Sequence, residues 1–207
     1  IDTIEPSFGL PAKWITEAVK EEAEIMGYTV VDPPSVVSTH MTEIIRNHAH
    51  ELLGRQETKQ LIDHIRETSP ILVDELTPTP MTIGEIQKVL GNLLREHVSI
   101  RNLPIIFETL ADYSKMTSDV DILTEYTRQA LAKQITSQYA GSSNTLKVLT
   151  VSGKVEKMVA DSIQQTEHGN YLSIDPTDSQ AILESMAREV ERASLMEQSP
   201  IILCSPA

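Results

Sequence analysis

Residues 93–112 read LLREHVSIRNLPIIFETLAD, from Leu93 to Asp112, and this stretch decides the fold: two amphipathic helices joined by a short, stiff corner. Just upstream, Ile83, Ile86, Val89, Leu90, Leu93 and Leu94 recur at intervals of three and four, while Glu85, Lys88 and Arg95 fall on other faces. That spacing predicts one buried helical stripe. Thr82 and Glu85 stand at capping-box spacing, so the helix should begin with its free N–H groups satisfied. Val98, Ile100 and Leu103 fill the corner. Pro104 suits a first helical turn, and Ile105, Ile106, Leu110 and Tyr113 give the following helix its apolar face. Nothing in the stretch forms a catalytic set.

Outward from this core, punctuation sets the remaining elements. Residues 5–10 read as a loop. Pro11 is expected to start a helix over 11–26 that turns Trp14, Ile15, Ala18, Val19 and Ala23 inward, and Gly27 ends it. Residues 28–31 predict a short strand stopped by Asp32-Pro33-Pro34. Ser35 is expected to cap a helix over 35–53 closed by Gly54. Residues 56–67 form the next helix, with Leu61, Ile62 and Ile65 inward. Ser69-Pro70 and Thr77-Pro78-Thr79-Pro80 bracket a short helix holding Ile71, Leu72 and Leu76. Residues 119–137 predict a long helix carrying Val120, Ile122, Leu123, Tyr126, Ala130, Leu131 and Ile135.

Gly141-Ser142-Ser143-Asn144 is small, polar and aperiodic, and reads as a linker. Beyond it, strands over 146–151, 171–174 and 200–204 alternate with helices over 154–163 and 176–195, which predicts a small sheet with helices against it. The fold class expected is α+β in several subdomains, with a predominantly helical middle and small α/β units at each end.

Composition narrows function. The 207 residues carry 17 Lys and Arg against 30 Asp and Glu, a formal charge of −13, so nucleic-acid backbones and anionic lipid surfaces are repelled. The single cysteine, Cys204, follows the apolar run Ile201-Ile202-Leu203 and has no internal disulfide partner, as suits a reducing compartment. No apolar run approaches the roughly 18–20 residues needed to span a bilayer. His48-Ala49-His50, with His40 and His64 near, lacks the spacing and partners of a metal site. Glu96-His97 and Asp63-His64 are helix neighbours that do not face one another, and no serine sits in a nucleophile setting. Gly84, Gly91 and Gly141 are isolated, so there is no phosphate loop. The chain is expected to be no enzyme and to hold no cofactor or metal.

The candidate site is a recognition surface around Glu5-Pro6-Ser7-Phe8 and Val36-Val37-Ser38-Thr39. Pro6 and Pro11 stiffen the approach, Phe8 is one of two phenylalanines, and Gly9 lets the backbone turn beside it. An aromatic ring beside a carboxylate suits an apolar anchor with a polar rim. On the residues alone, Phe8 packing onto the Trp14 helix is the preferred reading, and only the family resemblance described next turns the preference toward recognition.

The sequence LLREHVSIRNLPIIFETLAD resembles the signature of the cytoplasmic domain of the FlhA family, the export-gate proteins of flagellar and other type III secretion systems. Residues 5–12, 27–32, 36–40 and 51–57 match it in the same order. The resemblance implies a shallow hydrophobic dimple that receives export chaperones with their substrates. It carries the dimple's acidic residue, phenylalanine and threonine onto Glu5, Phe8 and Thr39, with Val31 nearby. Glu5 departs from the Asp more usual there, so its charge reaches about one methylene further.

The resemblance also implies four subdomains: residues 1–32 the remainder of a small βα second one, 33–52 a return into a thioredoxin-like first, 53–137 a helical third, and 138–207 an incomplete α/β fourth. It implies a nine-membered ring, contacts with other export components, and membrane helices ahead of the cytoplasmic part, so the chain reads as a fragment of a membrane protein of the bacterial cell. The expected function is docking of chaperone–cargo complexes beneath the gate. The alternative is a purely structural scaffold that assembles the ring without recognising cargo.

Overall fold

The apolar stripe of the helix over Ile83–Arg95 organises the core of the unit that holds it. In the computed structural model, which describes residues 1–140, 145–166, 169–195 and 200–205, Ile86, Val89, Leu90 and Leu93 of this helix are buried without remainder. The chain forms two compact units, Ile1–Ala132 and Lys133–Ala207.

In the first unit, β1 (Asp2–Ile4) and β2 (Pro11–Lys13) are followed by a single 3-10 turn (Glu17–Val19), then α1 (Lys20–Ile25), α2 (Pro33–Asn47), α3 (Ala49–Leu52), α4 (Arg55–Thr68), α5 (Pro70–Leu76), α6 (Ile83–Arg95), α7 (Leu103–Tyr113) and α8 (Val120–Ala130). α6 packs against α3, α4 and α8, and α7 against α4, α5 and α8. Their common interior holds Ile62, Ile65, Val73, Leu76, Ile106, Phe107, Leu110 and Leu123. At about 1.5–3 kcal/mol for each fully buried aliphatic or aromatic side chain, this interior is what holds the unit together. Four buried threonines fit inside it because each hydroxyl donates to a carbonyl of its own helix: Thr58 to Gly54, Thr109 to Ile105, Thr124 to Val120 and Thr127 to Leu123, at 2.7–2.8 Å.

The corner that the sequence singled out is a Schellman turn. His97 N–H donates to the Leu94 carbonyl at 3.0 Å and Val98 N–H to the Leu93 carbonyl at 2.8 Å, which closes α6 and seats Val98 over the same core. His97 takes φ +58° there, a left-handed conformation usually given to glycine. At the other end of α6 the capping box forms as expected. Thr82 Oγ1 accepts from Glu85 N–H, and the Glu85 carboxylate accepts from Thr82 N–H at 2.7 Å. Arg128 of α8 donates to Glu96 at 2.5 and 3.0 Å, and Tyr113 stacks on Tyr126 with ring centroids 4.0 Å apart, so α8 is tied to the start of the corner and to the far end of α7.

Several expectations are corrected. Residues 11–13 pair with 2–4 in a hairpin instead of opening a helix, so the helix begins only at Lys20, and Trp14, Ile15 and Val19 stand exposed. No strand forms over 28–31. α2 is capped by Asp32, whose Oδ1 accepts from Ser35 N–H at 2.9 Å, because Pro33 and Pro34 occupy first-turn positions where no N–H is needed. Gly54 does not close α3 in a left-handed turn; it is the N-cap of α4, with its N–H donated to Glu57 at 3.0 Å. Ile71 is 74% exposed and Val73 takes the inward place on α5. The helix predicted over 119–137 breaks at Leu131 into α8 and α9 (Ala132–Tyr139).

In the second unit, β3 (Leu149–Thr150) runs parallel to β6 (Ile202–Leu203), and β4 (Ile163–Thr166) pairs antiparallel with β5 (Gly169–Leu172). Two two-stranded ladders therefore stand where one small sheet was expected, and β4 was not foreseen. α10 (Gly153–Asp161) is capped by Ser152, and α11 (Pro176–Leu195) has the predicted span. Ile182, Met186, Val190 and Ala193 form the half-buried stripe of α11. The linker expected at 141–144 lies outside the described residues.

Candidate functional site

The hairpin tip is built by Glu5. Glu5 N–H donates to the Leu10 carbonyl at 2.8 Å and Gly9 N–H to the Glu5 carbonyl at 3.0 Å, closing a loop between β1 and β2. The side chain folds over the loop: Oε1 accepts from Ser7 N–H at 2.9 Å and Oε2 from Phe8 N–H at 2.8 Å. Pro6 fixes one backbone angle and Gly9 takes φ +69°, which a residue with a Cβ adopts only at a cost. Across the strands below, Asp2 faces Lys13 with a 3.1 Å ion pair. With its backbone held in this way, Phe8 is 63% exposed. The helix on which it would otherwise pack does not exist at Trp14.

The Glu5 carboxyl is held below the usual carboxylate range, first by the Ser7 side chain, then by the Ser7 and Phe8 N–H groups and by His40. His40 belongs to the middle of α2. Val36, His40 and Glu43 are half-buried on one face of that helix, whereas Thr39 is exposed on the next. Glu5 and Phe8 are thus joined directly by hydrogen bonding, whereas Thr39 stands on α2 with no hydrogen bond to either. Val31 is 50% exposed and precedes the cap of α2, roughly 9 Å or more along the helix from Thr39 at 1.5 Å per residue. His40 was grouped in the sequence with the other histidines; its helical phase with Val36 is the signal that sets it apart.

What the loop presents is an aromatic ring, a carboxylate and apolar side chains. No group of three His, Cys, Asp or Glu capable of holding a metal occurs among the described residues. His48 bonds Glu51 at 2.8 Å, and Glu96 is engaged by Arg128. Large apolar side chains are left uncovered at the tip, Ile4 at 67% and Leu10 at 59%, and on α2, Val37 at 62% and Met41 at 52%. An exposed aromatic ring on a fixed loop, with a carboxylate behind it and apolar neighbours, can anchor a partner protein at little entropic cost. No helix among the described residues is long and apolar enough to cross a membrane.

The FHIPEP family model matches residues 1–207. The flagellar biosynthesis protein FlhA of Bacillus subtilis is 66% identical over 206 residues, covering 100% of this chain and 30% of that protein. FlhA of Escherichia coli is 37% identical over 205 residues, covering 99% of this chain and 29% of its own length. The chain therefore spans about 30% of these relatives. Among solved structures, the Chlamydia pneumoniae CdsV and CdsO protein complex aligns with a TM-score of 0.79 at 26% identity, over 93% of this chain and 56% of that one. The cryo-EM structure of nonameric EPEC SctV-C aligns with a TM-score of 0.74 at 28% identity, over 92% and 64%.

Proposed function

Because the chain belongs to the FHIPEP family, a family of transport components and not of enzymes, we propose that it is the part of an export gate's cytoplasmic domain that docks export chaperones carrying flagellar substrates. The observation that carries this reading is the Glu5–Phe8 loop. Its carboxylate is spent on holding two backbone N–H groups, and the aromatic ring is left facing solvent. Phe8 is the anchor, Glu5 sets its loop and contributes negative charge, Thr39 offers a hydroxyl from α2, and Val31 extends the apolar border. On the same reading, residues 1–32, 33–52, 53–137 and 138–207 are contributions to four subdomains, and the domain works below a cell-membrane gate.

A ring scaffold without cargo recognition is the second reading, favoured by the nonameric assembly of the similar SctV-C. Titrating a flagellar chaperone–cargo complex against the intact cytoplasmic domain separates the two. Docking predicts that Phe8→Ala and Thr39→Ala weaken binding while the sedimentation profile stays unchanged. The scaffold reading predicts unchanged binding and altered oligomers.

A further inference from the structure

A cavity of about 660 Å³ lies on the helical part of the first unit, between α4 and the segment that leads into α6. One wall is a single stripe of α4: Arg55, Lys59, Ile62 and Arg66, at intervals of four, three and four. The other wall is Pro78 and the first residues of α6, Thr82 to Gly84. Most of the lining is apolar, so three cations rim a hydrophobic floor of Ile62, Ile83 and Pro78. In a chain of formal charge −13 this concentration of positive charge runs against the overall balance.

Two of the cations have internal partners, Lys59 with Asp63 and Arg66 with Asp74. Arg55 has no recorded ion pair among the described residues, and its guanidinium lies over Gly84, where an added Cβ would approach Nη2 to 3.3 Å. The N-terminus of α6 opens on the same side, where the Thr82–Glu85 capping box already occupies it, so Arg55 is the groove's available cation. We propose that this groove receives an acidic peptide segment of a partner protein, one apolar side chain on the floor and carboxylates against Arg55 and its two neighbours. Charge complementarity selects this occupant: the groove is too open to enclose a small anion, and its cationic rim repels a basic peptide. The site is separate from the Glu5–Phe8 loop and stands or falls without it.

The test uses the full 207-residue chain and a fluorescein-labelled peptide of four glutamates around one leucine, with its four-glutamine counterpart. Arg55→Glu is a safe variant, because an acidic residue in the first turn of α4 is favoured by the helix dipole. The proposal predicts that the glutamate peptide binds at least about tenfold tighter than the glutamine one at low salt, that Arg55→Glu removes that advantage with its helical circular dichroism intact, and that Arg55→Gln falls between. Lys157→Glu, which changes net charge equally on α10, should bind as the parent does. Equal binding of the two peptides, an equal loss from Lys157→Glu, or Arg55→Glu acting only on self-association would each overturn it.

Discussion

The chain's two phenylalanines ought to behave as opposites when each is cut back to alanine. Phe107, in α7, is fully buried against the interior that α4, α5 and α8 share. Removing its ring leaves a cavity as well as a lost transfer term, at a cost of about 3–5 kcal/mol. Against a typical domain stability of roughly 5–15 kcal/mol, that is a large share. Phe8, 63% exposed, hides only about a third of what Phe107 hides. With full burial of a phenylalanine contributing about 1.5–3 kcal/mol, Phe8→Ala should cost about 0.5–1 kcal/mol. Urea unfolding followed by circular dichroism at 222 nm measures both. Trp14, whose backbone closes β2 onto Ile1 and whose ring is half exposed, reports the hairpin separately by fluorescence. A Phe8→Ala loss above about 2 kcal/mol, or a Phe107→Ala loss no larger than that of Phe8→Ala, would refute the assignment of Phe107 to packing and Phe8 to recognition.

The other expectations are local. The lowered Glu5 pKa means that its bonds to the loop hold in full above the ordinary value of 4.5 and fade as pH falls through the lower folded value. The amide resonances of Ser7 and Phe8 should therefore titrate together below pH 4.5 and stop doing so in Glu5→Gln; a midpoint at or above 4.5 would contradict the geometry. Thr82→Ala should lower stability by about 1 kcal/mol through loss of the α6 cap, read from the urea midpoint. His97→Gly should raise it by about 0.5–1 kcal/mol by relieving the left-handed residue at the end of α6, whereas His97→Val should lower it.

How much of this was legible in the sequence depended on range. The α6–α7 corner was readable because its determinants are local: the stripe from Ile83 to Leu94, the Thr82–Glu85 cap and Pro104 each act within one or two turns. Phe107 was left off the inner face of α7 although it sits one residue after Ile106, because this helix is apolar around more than one side. The N-terminal region misled for the opposite reason. Trp14, Ile15 and Val19 follow a helical period, but residues 11–13 are drawn into a ladder with Asp2–Ile4, and three-residue strands leave no alternation to detect. At the candidate site, the turn chemistry of Glu5, Pro6 and Gly9 was written in adjacent residues. The electrostatic influence of His40 on Glu5 is a tertiary effect: the helical phase of His40 with Val36 marks it as facing inward but does not name what it faces. The paired strand β4 escaped because its β-branched Ile163 was read as the end of the preceding helix, and Gln164 and Gln165 carry no strand signal of their own.

The most direct test of the central claim is contact at the ring itself. With benzoylphenylalanine in place of Phe8 in the intact cytoplasmic domain, irradiation in the presence of a flagellar chaperone–cargo complex should join the chaperone to that position. The same probe at Ile71, which is 74% exposed on α5, should not capture it. Capture of another copy of the domain alone at Phe8, or equal chaperone capture from both positions, would contradict the account.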